Sequence, residues 1–202
     1  MSRFQSLLQR EWMQHHRGWL VQMLAPPLLI LLLGLMTHTV QVEPNTPLPM
    51  FVALTGVVSL LVLGITWATV FIQAPGLARR DVQDRSIEFW RSLPTGHAAS
   101  LGATLLMHAL AMPLLALTIG YAFSQLIGML IVTRVHGLGT LFALPWASLG
   151  AGSLATFARG VFGVLLASLW LMPLLLLMAC SAWLKRWGVP ALALELGVGH
   201  LV

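Results

Sequence analysis

The charged side chains of this 202-residue chain concentrate in one short stretch, residues 81–97, which reads DVQDRSIEFWRSLPTGH. Five of them lie at positions i, i+3, i+4, i+7 and i+10, so a helix would carry them on one continuous face. They are Asp81, Asp84, Arg85, Glu88 and Arg91. Acids and bases alternate on that face, and such a surface can form ion pairs with a partner protein of complementary charge.

An apolar face accompanies the charged one. Val82, Phe89 and Leu93 form it, flanked by Ile87 and Trp90, and the segment LPTGH ends the predicted helix. Two interpretations follow: a helix that lies at the membrane interface with its apolar face among the headgroups, or a helix that docks on a protein. Interfacial helices carry mostly Lys and Arg on their polar face, whereas this face mixes both signs.

Sequence motifs for catalysis, nucleotide binding and metal binding are absent from the sequence. There is no G-x-x-x-x-G-K-[ST], and the one lysine, Lys185, follows a Trp-Leu pair, so the chain cannot itself cradle the phosphates of ATP. H-E-x-x-H and C-x-x-C are missing too, and the adjacent His15 and His16 point to different sides of a helix. We therefore predict no catalytic residue, no metal site and no cofactor in this chain, and we do not expect an enzyme.

The composition is that of a membrane protein. Hydrophobic residues make up 58% of the chain and charged residues only 8%, too few to cover a soluble domain of this size. The net charge of +5 comes from basic residues that stand in small groups between apolar runs, so we expect no nucleic-acid binding. The lipid bilayer is the expected surrounding of this chain.

Uninterrupted apolar runs predict an all-α, polytopic membrane helix bundle of about four transmembrane helices, since each crossing needs about 20 apolar residues. Residues 18–202 form this predicted transmembrane domain. Its spans are approximately residues 18–38, 49–72, 98–123 and 160–184. Residues 134–159 are rich in Gly, and we predict an outer-face segment there that lies on the surface or re-enters, in preference to a further crossing. Residues 189–202 are predicted to start a fifth span.

Ionisable residues are almost missing from these predicted spans. No carboxylate lies within any of them, and ion-coupled carriers usually need one at membrane depth, so we expect any transport energy to come from a partner. His108 has no acidic partner within its span, and it is either a hydrogen-bonded packing residue or a proton relay. Gly56 and Gly64, two turns apart in the second span, are predicted to form a close-packing face.

Basic residues predict the orientation, because cytoplasmic loops retain Lys and Arg. With four spans, only Arg134 and Arg159 of the 11 basic residues fall on one side, and all others fall on the opposite side. Both termini are therefore predicted to be cytoplasmic, and the charged stretch belongs to a cytoplasmic loop over residues 73–97. We expect a multi-pass protein of the cell (inner) membrane.

Residues 1–17 form a predicted amphipathic helix along the inner leaflet. Its apolar positions recur at helical spacing, with Arg and Gln between them. The side chains predicted to face the membrane interface are Phe4, Leu7, Leu8 and Trp12.

Three segments resemble one family of membrane proteins. DRSIEFWRSLPTGH, residues 84–97, looks like the first cytoplasmic loop of type-2 (ABC-2-like) ABC transporter permeases, which lies between their second and third spans. SAWLKRWGVPALA, residues 181–193, resembles the segment that closes the fourth span of these permeases. ALPWASLGAGSLA occupies the place of their outer-face segment, so the resemblance extends over residues 79–193.

The resemblance implies a permease subunit of an ATP-driven transporter, in a family where export predominates. Its partners would be a second permease copy or homologue and separate ABC ATP-binding subunits, which would bind ATP and Mg²⁺. The charged loop would be the coupling helix seated on the ATPase. The residues that the resemblance assigns to this docking are Asp84, Arg85, Ser86, Ile87, Glu88, Phe89, Trp90, Arg91, Leu93 and Pro94.

The sequence departs from the family in its number of spans. The family usually has six, whereas this sequence stops near the start of a fifth, so we expect a truncated permease or one that another chain completes. A non-transporting membrane anchor or assembly subunit is the alternative function. Uncharged spans suit apolar cargo and any helix bundle alike, so the sequence predicts no substrate class.

Overall fold

The computed structural model describes residues 3–36, 47–77, 97–169, 175, 178 and 179. These residues form helices and short connections, and no β-strand occurs among them, which confirms the predicted all-α class. In chain order the helices are α1 (Arg3–Met36), α2 (Pro47–Leu77), α3 (His97–Leu105), α4 (Met112–His136), α5 (Leu138–Ala143) and α6 (Trp146–Leu169). A π-helical segment, Leu106–Ala111, joins α3 to α4.

Four helical stretches of the described chain are long and apolar enough to cross a membrane. They are Phe4–Met36, Pro47–Leu77, Ala99–His136 and Trp146–Leu169. Each exceeds the roughly 20 residues that a bilayer crossing requires. Large apolar side chains such as Ile72 and Leu169 stand exposed along these stretches, as they would against lipid. The chain thus has the architecture of a multi-pass membrane protein.

The ends of two helices differ from the predicted ones. Arg3–Met36 is a single helix, with no break between the predicted interfacial helix, 1–17, and the first span. Helix α6 begins at Trp146 and passes through Arg159 without interruption, so the second half of the predicted outer-face segment, 134–159, belongs to a membrane-length helix. One exposed arginine does not end an apolar helix, because its long side chain can carry the charge to the interface.

The third apolar run also ends later than predicted. The expected end is residue 123, whereas α4 continues to His136. Gly137 then ends the helix with φ 86° and ψ 162°, and its N–H donates to the carbonyl of Thr133 at 2.9 Å. A positive φ is strained for residues that carry a Cβ, so this C-cap position favours glycine. Helix α5 and the extended Leu144 lead on to α6.

Two compact units make up the chain. Among the described residues, the first contains 3–13, 67–77, 97–109, 166–169, 175, 178 and 179, and the second contains 14–36, 47–66 and 110–165. The first unit thus collects the N-terminal ends of α1 and α3 and the C-terminal ends of α2 and α6. In a chain whose long helices each cross a bilayer, these ends lie on the same side.

Within the second unit, α2 and α4 pack closely through small residues. Gly120, Ser124 and Gly128 recur every four positions on α4. A Cβ on Gly120 would lie 3.1 Å from Cβ of Val62, and a Cβ on Gly128 would lie 2.9 Å from the ring of Phe51. Such small-residue faces allow membrane helices to approach one another at short distance.

This packing corrects the role predicted for two other glycines. A Cβ on Gly56 or Gly64 of α2 would meet no atom of the described residues within 4 Å, so neither glycine packs closely against the described part of the chain. Ser59 carries the contact instead: its Oγ hydrogen-bonds to Ser124 Oγ at 3.2 Å. The α2 side of the interface consists of Phe51, Thr55, Ser59 and Val62.

Helix α6 packs on α4 in the same unit. Tyr121 donates a hydrogen bond to Ser153 Oγ at 3.0 Å, and its ring lies 4.8 Å from that of Phe157, centroid to centroid. Gly160 admits Leu117, because a Cβ on this glycine would lie 3.1 Å from the leucine methyl carbons. A hydroxyl contact, an aromatic contact and a small residue therefore hold α6 in place.

Candidate functional site

The strongest candidate site in the described part of the chain is a cluster of ionisable side chains buried in the first unit. Its centre is Glu11, a carboxylate of α1 that is 0% exposed. The sequence pattern predicts no carboxylate within any span, because it ends the N-terminal interfacial helix at residue 17. In the structure α1 is continuous, so Glu11 belongs to the membrane-length stretch Phe4–Met36 and lies N-terminal to the predicted span 18–38.

Arg10 supplies the counter-charge of Glu11. Its Nη2 lies 2.7 Å from Glu11 Oε1, and only 13% of the arginine side chain is exposed. The same Nη2 donates a longer hydrogen bond, 3.5 Å, to Ser100 Oγ of α3. A buried carboxylate without a partner would cost several kcal/mol. This ion pair therefore offsets much of the free-energy cost of removing the Glu11 carboxylate from water.

Thr104 of α3 contacts both Glu11 and His108. Its hydroxyl donates to Glu11 Oε1 at 3.2 Å and lies equally far from the carbonyl oxygen of Ser100. Its backbone carbonyl accepts a hydrogen bond, 2.9 Å long, from Nδ1 of His108. One residue of α3 thus joins the two ionisable groups in a single hydrogen-bonded network.

His108 is buried beside this carboxylate, with 1% of its surface exposed. Because a carbonyl oxygen only accepts hydrogen bonds, Nδ1 of His108 carries the hydrogen, and a neutral ring then holds its lone pair on Nε2. A ring nitrogen of His108 and a carboxylate oxygen of Glu11 lie within 4.8 Å of each other. The sequence pattern gives His108 no acidic partner within its span; the structure provides one from α1.

Pro113 accounts for the irregular backbone around His108. The π-helical segment Leu106–Ala111 ends just before this proline. Proline has no N–H, so the carbonyl of Ala109, four residues earlier, loses its α-helical donor. Ser168 of α6 donates its hydroxyl to that carbonyl at 2.7 Å. Hydroxyl groups commonly satisfy such freed carbonyls in membrane helices, and π-helical turns recur at functional sites.

Apolar packing joins α2 to the helix that carries the site. Val70 and Ala74 of α2 pack with Ala109, the residue after His108, and with Met178. Leu77 and Leu105 lie partly buried against this cluster. The last turns of α2 and the first turns after residue 97 therefore share one hydrophobic core.

The predicted docking residues, 84–94, lie outside the described part of the chain. Helix α2 ends at Leu77 and α3 begins at His97. The loop that carries the docking residues therefore connects two helix ends of the first unit.

The four residues predicted to face the membrane interface have different surroundings. Phe4 and Trp12 are 40% and 36% exposed and Leu8 is half-buried, as an interfacial position allows. Leu7 is only 5% exposed, so it packs within the protein. Glu11 follows Leu7 by one helical turn, on the same buried face. An acid at this spacing within an apolar stripe is the sequence signal that would have revealed the site.

Comparison of the chain with protein-family models, with curated proteins and with solved structures finds no match. The resemblance to ABC permeases therefore stays a prediction that the motif residues carry. The buried cluster is a second, independent feature, and it follows from the geometry of α1 and α3.

Proposed function

We propose that the chain is the membrane-spanning permease subunit of an ATP-driven exporter. A separate ATP-binding subunit would dock on residues 79–97, bind ATP and Mg²⁺ and supply the energy. The observation that carries the proposal is the sequence of this loop, a two-faced charged and aromatic segment in an otherwise apolar chain. Four membrane-length helices and the lack of any phosphate-binding motif in the sequence support it.

The chemistry of six docking residues suggests their roles. Phe89 and Trp90 fill a groove of the ATPase, because large aromatic side chains contribute most of the binding energy at protein interfaces. The charges of Asp84, Arg85 and Glu88 fix the position of the loop on the ATPase by pairing with complementary charges there. Arg91 contributes in the same way. The permease itself then needs no catalytic residue.

Movement of the loop reaches three helices of the first unit. The loop follows α2 and precedes α3 directly, so both helices receive any displacement that the ATPase imposes. Helix α1 is joined to α3 by the hydrogen bonds from Arg10 to Ser100 and from Thr104 to Glu11. These contacts support a mechanism in which the N-terminal end of α1 moves with the loop.

The proposal includes an orientation and a second permease chain. The basic residues favour a cytoplasmic N-terminus in the cell membrane, and the first unit contains the helix ends that this orientation places inside. A second copy or a homologue would complete the transport path with this chain, since the permeases that it resembles work in pairs. Chemical crosslinking in native membranes, followed by mass spectrometry, tests this pairing.

The proposal is tested by measuring whether mutations in the loop abolish binding of the ATPase. Trp90→Ala removes an anchor and Arg85→Glu reverses a charge, and each is expected to abolish copurification of ATPase activity. Phe162→Ala, which truncates an aromatic side chain that is 61% exposed on α6, is the matched control. Retained activity in both loop variants would overturn the proposal.

A further inference from the structure

We infer that Glu11 and His108 together form a proton-binding site in the first unit. Both side chains are buried, their ligating atoms lie within 4.8 Å of each other, and Thr104 hydrogen-bonds to both. Buried ionisable residues are rare in membrane-length helices and usually mark an ion or proton pathway. This inference does not depend on the proposed ATP-driven function.

The proton is bound at the ring of His108. Its Nδ1–H is committed to the carbonyl of Thr104, so the lone pair of Nε2 is the site that forms the new N–H bond. Hydronium gives up the proton and leaves as water, and the reverse step returns the proton to water. No electrons are transferred, and the charge of the cluster rises by one.

Among the described residues, the charged and titratable groups beside the site lie on α1. Arg10 forms an ion pair with Glu11, with its Nη2 2.7 Å from Oε1. His15 follows Glu11 by one turn on the same face of α1, and a ring nitrogen of His15 lies within 4.8 Å of a carboxylate oxygen of Glu11, so His15 is a further titratable group at the site. Within this unit, residues 67–77 of α2 and 166–169 of α6 carry no ionisable side chain.

Two features favour a proton over a metal ion. The guanidinium of Arg10 already occupies the region around Glu11 Oε1 and would repel a divalent cation. Thr104 also donates its hydrogen to that oxygen, so the oxygen accepts two hydrogen bonds. A single proton on His108, by contrast, requires no rearrangement of these contacts.

The consequence is a proton-dependent link between α1 and α3. With His108 neutral, Arg10 is paired with Glu11; with His108 protonated, a second positive charge lies beside that ion pair. Two hydrogen bonds join the helices, from Thr104 to Glu11 and from Arg10 to Ser100. Protonation of His108 places one more positive charge beside them. Proton binding can in this way alter how firmly the two helices hold together.

The test is a pH titration of the ¹⁵N-labelled histidine rings of the full chain in lipid nanodiscs, read by NMR. Two interacting groups titrate in two macroscopic steps that belong to the pair. We expect the His108 nitrogens to show both steps between about pH 4 and pH 9, the range around the ordinary values of Glu and His. Glu11→Gln should remove one of these steps.

Two further variants keep the result interpretable. Thr104→Val removes one hydrogen bond to Glu11 at nearly unchanged volume, and we expect one midpoint to move by about half a pH unit or more. His136→Asn removes a histidine of the second unit and should leave the His108 titration unchanged. Thr104→Val is a mild substitution, so it tests the coupling of Glu11 to His108 even where Glu11→Gln fails to fold. His136→Asn is the control.

Three results would overturn the inference. The first is a single-step His108 titration that is the same in the wild type and in Glu11→Gln, or in Thr104→Val where Glu11→Gln does not fold. The second is the absence of any His108 titration in this range. The third is equimolar Zn²⁺ that abolishes the titration in the wild type and not in Glu11→Gln, because the pair would then be part of a metal site.

Discussion

Ser168 Oγ donates a hydrogen bond of 2.7 Å to the backbone carbonyl of Ala109, the carbonyl that Pro113 leaves without its helical donor. A side chain of α6 thus completes the backbone hydrogen bonding of the helix that carries His108. In a bilayer no water is available to hydrogen-bond this carbonyl. The contact also links the C-terminal end of α6 to the helix that carries His108.

Replacing this hydroxyl should destabilise the protein by an amount that depends on Pro113. Hydrogen bonds between membrane helices contribute about 0.6 to 1.7 kcal/mol, and we expect Ser168→Ala to lower the free energy of unfolding by about 1 kcal/mol. In a Pro113→Ala background the restored N–H can bond Ala109, so the loss should be less than half as large. Unfolding in bicelles measures both.

The control for this cycle is Ser148→Ala. Ser148 also donates to a backbone carbonyl, that of Pro145 at 3.0 Å, but it is exposed at the start of α6. It should change the free energy of unfolding by at most about 0.5 kcal/mol. Equal losses for Ser168→Ala with and without Pro113 would refute the role assigned to the proline.

Gly120 should tolerate a methyl group poorly, whereas Gly64 should tolerate it well. A Cβ at position 120 would lie 3.1 Å from Cβ of Val62 and 3.4 Å from Cα of Ser59, which is backbone and cannot turn aside. Overpacking of this kind costs about 1 to 3 kcal/mol. At position 64 no atom lies within 4 Å, and helix propensity favours alanine by up to about 1 kcal/mol. Thermal unfolding that destabilises both variants equally would contradict the α2–α4 packing.

Removing the charge of Arg10 should be far more costly than removing the charges of Arg10 and Glu11 together. Arg10→Met leaves a buried carboxylate without its cation, which typically costs about 3 to 5 kcal/mol. Adding Glu11→Met should recover a large part of that loss. Arg134→Met, at an exposed arginine that bonds the carbonyl of Leu35, is the matched control and should have little effect. A double variant less stable than Arg10→Met would argue against a buried ion pair.

The fold class could be read from the sequence because helix-length apolar runs are a local property. The second span illustrates this: the prediction is 49–72, and the helix is Pro47–Leu77. The glycine contacts were not local. Nothing in α2 itself indicates that Gly64 faces open space while Ser59 faces α4, since that depends on how α2 is rotated against its neighbour.

The buried cluster was missed for the same reason. Glu11 lies in a segment whose periodicity resembles that of an interfacial helix, and the residue that contacts it, Thr104, is 93 positions away in the chain. Burial of an acid becomes evident only when both helices are placed together. The predicted docking residues are the opposite case, because the pattern of residues 84–94 is local and depends on no distant partner.

The most direct test of the central claim, that a separate ATPase drives this permease, is ATPase activity bound to the chain. The tagged chain is extracted gently from membranes of its own cells, and ATP hydrolysis in the eluate is measured for the wild type, Trp90→Ala, Arg85→Glu and Phe162→Ala. We predict hydrolysis with the wild type and the α6 control, and at least a tenfold loss in both loop variants, which corresponds to about 1.4 kcal/mol of binding. Equal hydrolysis in all four, or none with the wild type, would contradict the proposed function.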